Sequence, residues 1–219
     1  MPDLSAKTAL VVGATGLIGK QVVQLLLQSP AYAEVSVLVR NSLGIQDPKL
    51  KEIEYDFSNP APELVRGDDV FCCLGTTMKK AGSKDAFRKV DLEYPLQIGR
   101  LARQSGASQY LIVTAMGADS DSMFFYNQVK GDVQEELKAL QFPMLRIFQP
   151  SLLLGNRQEA RLGEKVGEWL SLLFRPLMVG PLRKYQAIDS AKVARAMVTL
   201  AQKPGTGVVI YDSEELQKY

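Results

Sequence analysis

The segment Gly13-Ala14-Thr15-Gly16-Leu17-Ile18-Gly19 constrains this chain more than any other. Before it, residues 7–12 (KTALVV) form a short apolar run that suits a buried strand. After it, LIGKQVVQLLLQ carries apolar residues at helical spacing until Ser29-Pro30 stops it. Three glycines where a strand becomes a helix imply a backbone that must turn tightly and leave room. The first permits the turn, the second lets the backbone approach a pyrophosphate, and the third packs the helix closely against the sheet. The helix N-terminus then faces the anion. The spacing is GxxGxxG rather than the commoner GxGxxG, but a second strand, VSVLVR (35–40), follows in order. The unit reads as a dinucleotide-binding βαβ.

The same alternation continues. IEYDF (53–57) and DVFCCL (69–74, ending at Gly75) read as strands three and four. Ser83 to Arg103 is helical in pattern and expected in two pieces, because Pro95 removes one backbone donor; Gly106 ends it. Strand five is YLIVTA (110–115), followed by a helix to about Leu140, and strand six is MLRIFQP (144–150). EARLGEKVGEWLSLLF and SAKVARAMVTLAQK read as helices, the latter capped by Ser190 or Asp189, and VVIY (208–211) as a last strand. The expected fold is α/β: a doubly wound parallel sheet of Rossmann type in three αβα layers. A single domain over residues 1–219 is expected, with residues about 150–190 elaborated as a substrate-side lobe.

Composition excludes several functions. A formal net charge of +2 is too small to argue for nucleic acid or an anionic membrane. No apolar run approaches the roughly 18–20 residues of a membrane span, and no stretch reads as a signal peptide, so a cytoplasmic location is expected. The chain has no histidine, and its two cysteines, Cys72 and Cys73, are adjacent. Neighbours on a strand point to opposite faces, so these read as two small buried thiols rather than a disulfide. No metal site is expected, and acid–base chemistry is left to carboxylates, lysine and tyrosine.

At the end of strand two, where an NAD-preferring domain places a carboxylate, this chain has Arg40. A guanidinium can bind a 2′-phosphate bidentately, so NADP is expected over NAD. Asp56 either accepts from the adenine amino group or starts a loop. Leu74, Gly75 and Thr76 follow strand four at the carboxyl edge, where open α/β sheets bind ligands. Tyr126 and Lys130, four apart, share one helix face.

Together GATGLIG, the glycine after strand four and Tyr-x-x-x-Lys after strand five resemble the short-chain dehydrogenase/reductase superfamily. More narrowly, CLGTTMKKAGSKDAFRKVDLEYP (73–95), GADSDSMFFYNQVKG (117–131) and GNRQEARLGE (155–164) resemble its atypical Tat-interacting-protein-like branch and the bacterial relatives of that branch. The resemblance implies that Tyr126 exchanges a proton with a substrate carbonyl while Lys130 holds the nicotinamide ribose. It further implies that Lys130 assists the phenol by its charge, since a phenol of pKa about 10 is a poor base near neutrality. Thr114 corresponds to the hydroxyl that orients the carbonyl, with Ser120 or Ser122 as substitutes, and Pro150 joins the cofactor-binding set. Two departures stand out: Thr114-Ala115 replaces two serines, and Gln149-Pro150-Ser151 replaces Arg-Pro-Gly. Asp91 lies where extended relatives often have asparagine, or caps its helix. Met78, Lys79 and Lys80 are placed near the substrate cleft. Arg157, Glu159, Arg161 and Glu164 are either a solvated ion-pair network, a cleft wall or an anchor for the segment closing over nicotinamide, and Trp169–Phe174 reads as helix packing.

The expected function is an NADP-dependent oxidoreductase of a small carbonyl or alcohol. The alternative is an NADPH-binding regulator or scaffold with little catalysis; an epimerase or dehydratase using the same cofactor is a third reading. A homodimer or a protein partner is compatible with either of the first two.

Overall fold

Strand β1, Lys7–Val12, is an almost uninterrupted apolar run because both of its faces are covered. Val11 packs into one core cluster, while Leu10 and Val12 pack into another on the opposite side. In the computed structural model, which describes residues 6–154 and 185–219, this strand lies near the middle of a seven-stranded parallel sheet. The other strands of that sheet are β2 Tyr32–Val39, β3 Leu50–Glu54, β4 Asp69–Cys72, β5 Gln109–Val113, β6 Met144–Gln149 and β9 Gly207–Asp212. Their order is β3-β2-β1-β4-β5-β6-β9. Helices α1 (Leu17–Gln28) and α6 (Ser190–Ala201) cover one face; α3 (Lys84–Arg88), α4 (Tyr94–Gln104) and α5 (Phe125–Ala139) cover the other. The expected doubly wound αβα architecture is present. A two-stranded parallel pair, β7 (Leu153–Leu154) with β8 (Ile188–Asp189), short helices α2 (Met78–Ala81) and α7 (Ser213–Leu216), a 3-10 turn at Pro62–Leu64 and a π-helical segment at Lys89–Glu93 complete the described elements. No helix among them is long and apolar enough to cross a membrane.

Beyond shifts of one or two residues at other strand ends, three features depart from the sequence pattern, each for a tertiary reason. β2 starts at Tyr32 rather than at Val35, since the Tyr32 hydroxyl donates to the buried carboxylate of Asp69 at 2.6 Å and pins the strand's entry. β3 is Leu50–Glu54 rather than 53–57: pairing of Val35 with Leu50 sets the register, and the polar edge sequence LKEIE hides it. Pro95 does not break its helix. It sits in the first turn of α4, where its missing donor is tolerated, behind a π-helical segment, Lys89–Glu93. Asp189, one of the two expected caps, accepts from Ala191 N at the start of α6.

Strand order reverses between β1 and β4, so the crevice beyond their carboxyl ends is the natural ligand site. Gly13 shapes it. Its φ is +83°, and a Cβ there would stand 2.6 Å from the Cys73 carbonyl carbon. A Cβ on Gly19 would lie 2.2 Å from the Gly13 carbonyl oxygen, so the third glycine seats α1 on the loop itself. Glycine to alanine in a helix ordinarily stabilises by about 1 kcal/mol. Gly19→Ala should reverse that sign and destabilise by roughly 1–3 kcal/mol as overpacking. Urea unfolding with an unchanged m-value checks it; a gain in midpoint would contradict the packing described.

Candidate active site

A cleft of about 920 Å³ opens at the reversal point. Thr15, Gly16, Leu17 and Ile18 line one side, Leu74, Gly75 and Thr76 the next, and Thr114, Tyr126, Lys130 and Pro150 the far wall. Eleven of the residues expected from the sequence are therefore brought together. Gly13, Ala14 and Gly19 shape the loop beneath, with Ala14 buried. Helix α1 begins here without a side-chain cap and without an acidic residue in its first turn. Its first amide donors are left for an anion, where the helix dipole also favours one. Lys20, Gln21 and Gln24 extend this wall along α1, a helical i, i+1, i+4 face that sequence reasoning passed over.

Two further expected cofactor residues, Arg40 and Asp56, also lie outside the lining. Arg40 is exposed one residue past β2; since Val12 pairs with Leu38, it stands on the same sheet edge as the glycine loop. Asp56 is exposed, and its Oδ1 accepts from Ser58 N at 2.8 Å, which is the loop-starting role. Of Met78, Lys79 and Lys80, the cleft lining includes Lys80. Arg157, Glu159, Arg161, Glu164 and the Trp169–Phe174 stretch fall outside the described residues.

On α5, Tyr126 is part-exposed, with its ring 5.6 Å from that of Phe87, while Lys130, one turn on, is buried. Lys130 Nζ lies 2.7 Å from Oδ1 of Asp91, a carboxylate only 1% exposed. That oxygen makes no aligned hydrogen bond, so charge holds the contact. The other oxygen, Oδ2, accepts from Thr76 N at 2.8 Å. Asp91 is thus no helix cap: it ties the loop after β4 to α5. Gly75 leaves the space in front, since a Cβ there would meet Asp91 Oδ1 at 3.5 Å and Lys130 Nζ at 3.9 Å.

The Thr114 hydroxyl is buried and committed. It donates to the Phe148 carbonyl at 3.3 Å and accepts from Gln134 Nε2 at 2.9 Å; Gln134 in turn accepts from Gln149 Nε2 at 3.1 Å. In this arrangement its single proton is not directed at a ligand. Ser120 and Ser122 do not line the cleft, and Ser122 Oγ accepts from Phe124 N in a local turn. Gly131 lets that loop lie on α5, since a Cβ there would stand 2.1 Å from Ser120 N.

Cys73 lines the cleft and Cys72 is buried behind it; both thiols are free. Burial pushes both up from their usual 9.0, and pushes Tyr110 well above 10.0. Tyr32 is raised too, by burial and then by the neighbouring Asp69 carboxylate. These groups stay protonated in the folded chain while the unfolded chain ionises first. Their stabilisation is complete below about pH 9 and is lost as pH climbs above it. Urea midpoints should hold from pH 7 to 8.5 and fall steadily from pH 9 to 11. Cys72→Ala should flatten the first part of that fall.

The profile of the NmrA-like family matches residues 5–150. Protein HTATIP2 of Rattus norvegicus is 32% identical over 207 residues, covering 92% of this chain and 84% of that protein. Protein FMP52, mitochondrial, of Candida albicans is 30% identical over 230 residues, covering 95% and 96%. Among solved structures, MoeE5 in complex with UDP-glucuronic acid and NAD superposes with a TM-score of 0.71 at 16% identity over 93% of this chain and 75% of its own. UDP-glucuronic acid 4-epimerase from Bacillus cereus in complex with NAD does so at 0.69 and 14%, over 95% and 78%. At such identities the structural likeness establishes the Rossmann fold.

Proposed function

Because the chain belongs to the NmrA-like family, we propose that it is an NADP-dependent oxidoreductase of the atypical short-chain dehydrogenase/reductase type, acting on a small carbonyl or alcohol. The observation that carries this reading is one cleft holding an uncapped, glycine-led helix N-terminus at one end and Tyr126 with Lys130 at the other. The residues suit a nicotinamide dinucleotide. Small or absent side chains at Gly16 and Gly75 leave room, and the α1 amides offer donors for a pyrophosphate. Neighbours of the same fold solved with NAD support the fit.

When bound, the nicotinamide would supply or accept the hydride. Tyr126, at the cleft mouth, gives its phenolic proton to the carbonyl oxygen in reduction and takes it back in oxidation. Lys130 holds the ribose and steadies the developing phenolate by its charge. Arg40 pairs with the 2′-phosphate, the basis for NADP over NAD. The cytoplasmic location expected from the sequence belongs to the same proposal, although fungal relatives bear the word mitochondrial in their names.

One observation favours the second reading, an NADPH-binding regulator with little turnover: the Thr114 hydroxyl is spent on Phe148 and Gln134. Kinetics separates the two. Purified protein should oxidise NADPH with a member of a carbonyl panel, and Tyr126→Phe should remove that rate while NADPH affinity stays within about threefold. Full activity in Tyr126→Phe would overturn the assignment; NADPH binding without turnover across the panel would favour the regulator. Arg40→Ala should weaken NADPH roughly tenfold or more, a charge-assisted contact of about 1.5–3 kcal/mol, and leave NADH nearly unchanged. Equal losses for both would remove the NADP preference.

A further inference from the structure

Among the described residues, Asp91–Lys130 is the ion pair whose two members are both nearly fully buried, with side chains 1% and 6% exposed. The other pairs have at least one well-exposed partner, as in Lys7–Asp69 at 43% and 0%. Such a pair is a poor way to stabilise a core, since apolar residues of similar volume usually do as well or better. Its position suggests what else it does. Asp91 lies in the π-helical segment Lys89–Glu93, a backbone form that is rare and recurs at functional sites. Its two oxygens reach different elements that both line the cleft, Lys130 on α5 and the Thr76 amide after β4.

Resting on the reading of this cleft as a nicotinamide-nucleotide site, we propose that Asp91 is the positioning residue of Lys130. It fixes the ammonium at the ribose end of the cleft and locks the Gly75-Thr76 loop in the same geometry. Asp91 touches neither ligand nor reacting atoms; it acts through Lys130. A carboxylate is required because two donors, one of them charged, converge on it. An asparagine offers one acceptor for two donors and no counter-charge, so either Thr76 N or the buried ammonium loses its partner. Of the titratable groups around Lys130, Asp91 faces it from the π-helical segment and the Cys72 thiol from β4. Tyr126 shares its helix, and Lys80 lies on the wall of the same cleft. The carboxylate is the negative charge in this set. Without it, a desolvated ammonium gives up its proton more easily, and the cationic form present at low pH is lost as pH rises.

The test is NADPH affinity by fluorescence titration between pH 7 and 9. The proteins are wild type, Asp91→Asn, Asp91→Glu, Lys130→Met and the Asp91→Asn/Lys130→Met double variant, each with its thermal midpoint recorded. Wild type should be flat across this range. Asp91→Asn should bind roughly tenfold more weakly at pH 7 and lose further affinity toward pH 9. Asp91→Glu, which keeps the charge, should restore a flat profile. In the Lys130→Met background, Asp91→Asn should cost no further affinity. Wild-type affinity in Asp91→Asn at every pH, or an equal loss with and without Lys130, would overturn the inference while leaving the cofactor reading intact. Should Asp91→Asn not fold, the double variant, which strands no charge, decides against Lys130→Met by the same criterion. Wild-type protein that binds neither NADPH nor NADH would sink the cofactor reading and this inference together.

Discussion

Gly13 and Cys73 bring two backbones so close that one methyl group would not fit between them, and the carboxyl edge of the sheet is arranged around that contact. It joins the loops leaving β1 and β4 at the point where strand order reverses. A bulkier residue at position 13 would have to adopt a φ near +83° and also push the Cys73 carbonyl aside. Since α1 is seated against the Gly13 carbonyl through Gly19, the displacement would carry into the helix as well. The glycine loop is thus first a packing device. Its open space for an anion is a consequence of two backbones and a helix meeting without side chains between them.

Much of this was legible in the sequence because it depends on local chemistry. Apolar runs at β1, β4, β5 and β6 are nearly continuous because those strands are covered on both faces, and their order along the chain dictates a parallel sheet. Tyr126 and Lys130 fall on one face of α5 by helical geometry alone. What stayed hidden depends on partners far apart in sequence. The start of β2 is set by Tyr32 and Asp69, 37 residues apart. LKEIE has no alternation to read because β3 is an edge strand whose register comes from β2.

Asp91 shows the same limit at the site. From sequence it is an acid inside a helical stretch just before a proline, and capping is the local explanation. Its role becomes visible only when Thr76, 15 residues back, and Lys130, 39 residues on, arrive at its two oxygens. Once they do, a buried charge on α5 becomes intelligible. A lone lysine in this position would be desolvated with nothing to offset the cost, whereas Asp91 supplies the charge and the Thr76 amide satisfies the second oxygen.

The two departures from the branch pattern, Thr114 and Gln149, lie 35 residues apart in sequence and read there as unrelated. In the fold they converge on one side chain: Gln134, buried on α5, donates to the Thr114 hydroxyl and accepts from Gln149. An amide has both a donor and an acceptor end, so Gln134 can serve a hydroxyl and a second amide at once. An arginine at 149 would also donate, but it would bring a charge next to a buried network of neutral groups. The two substitutions therefore make sense as a pair. Together they join one chain of neutral hydrogen bonds that runs inward from Thr114 on the cleft lining, and the Thr114 proton is drawn to the Phe148 carbonyl.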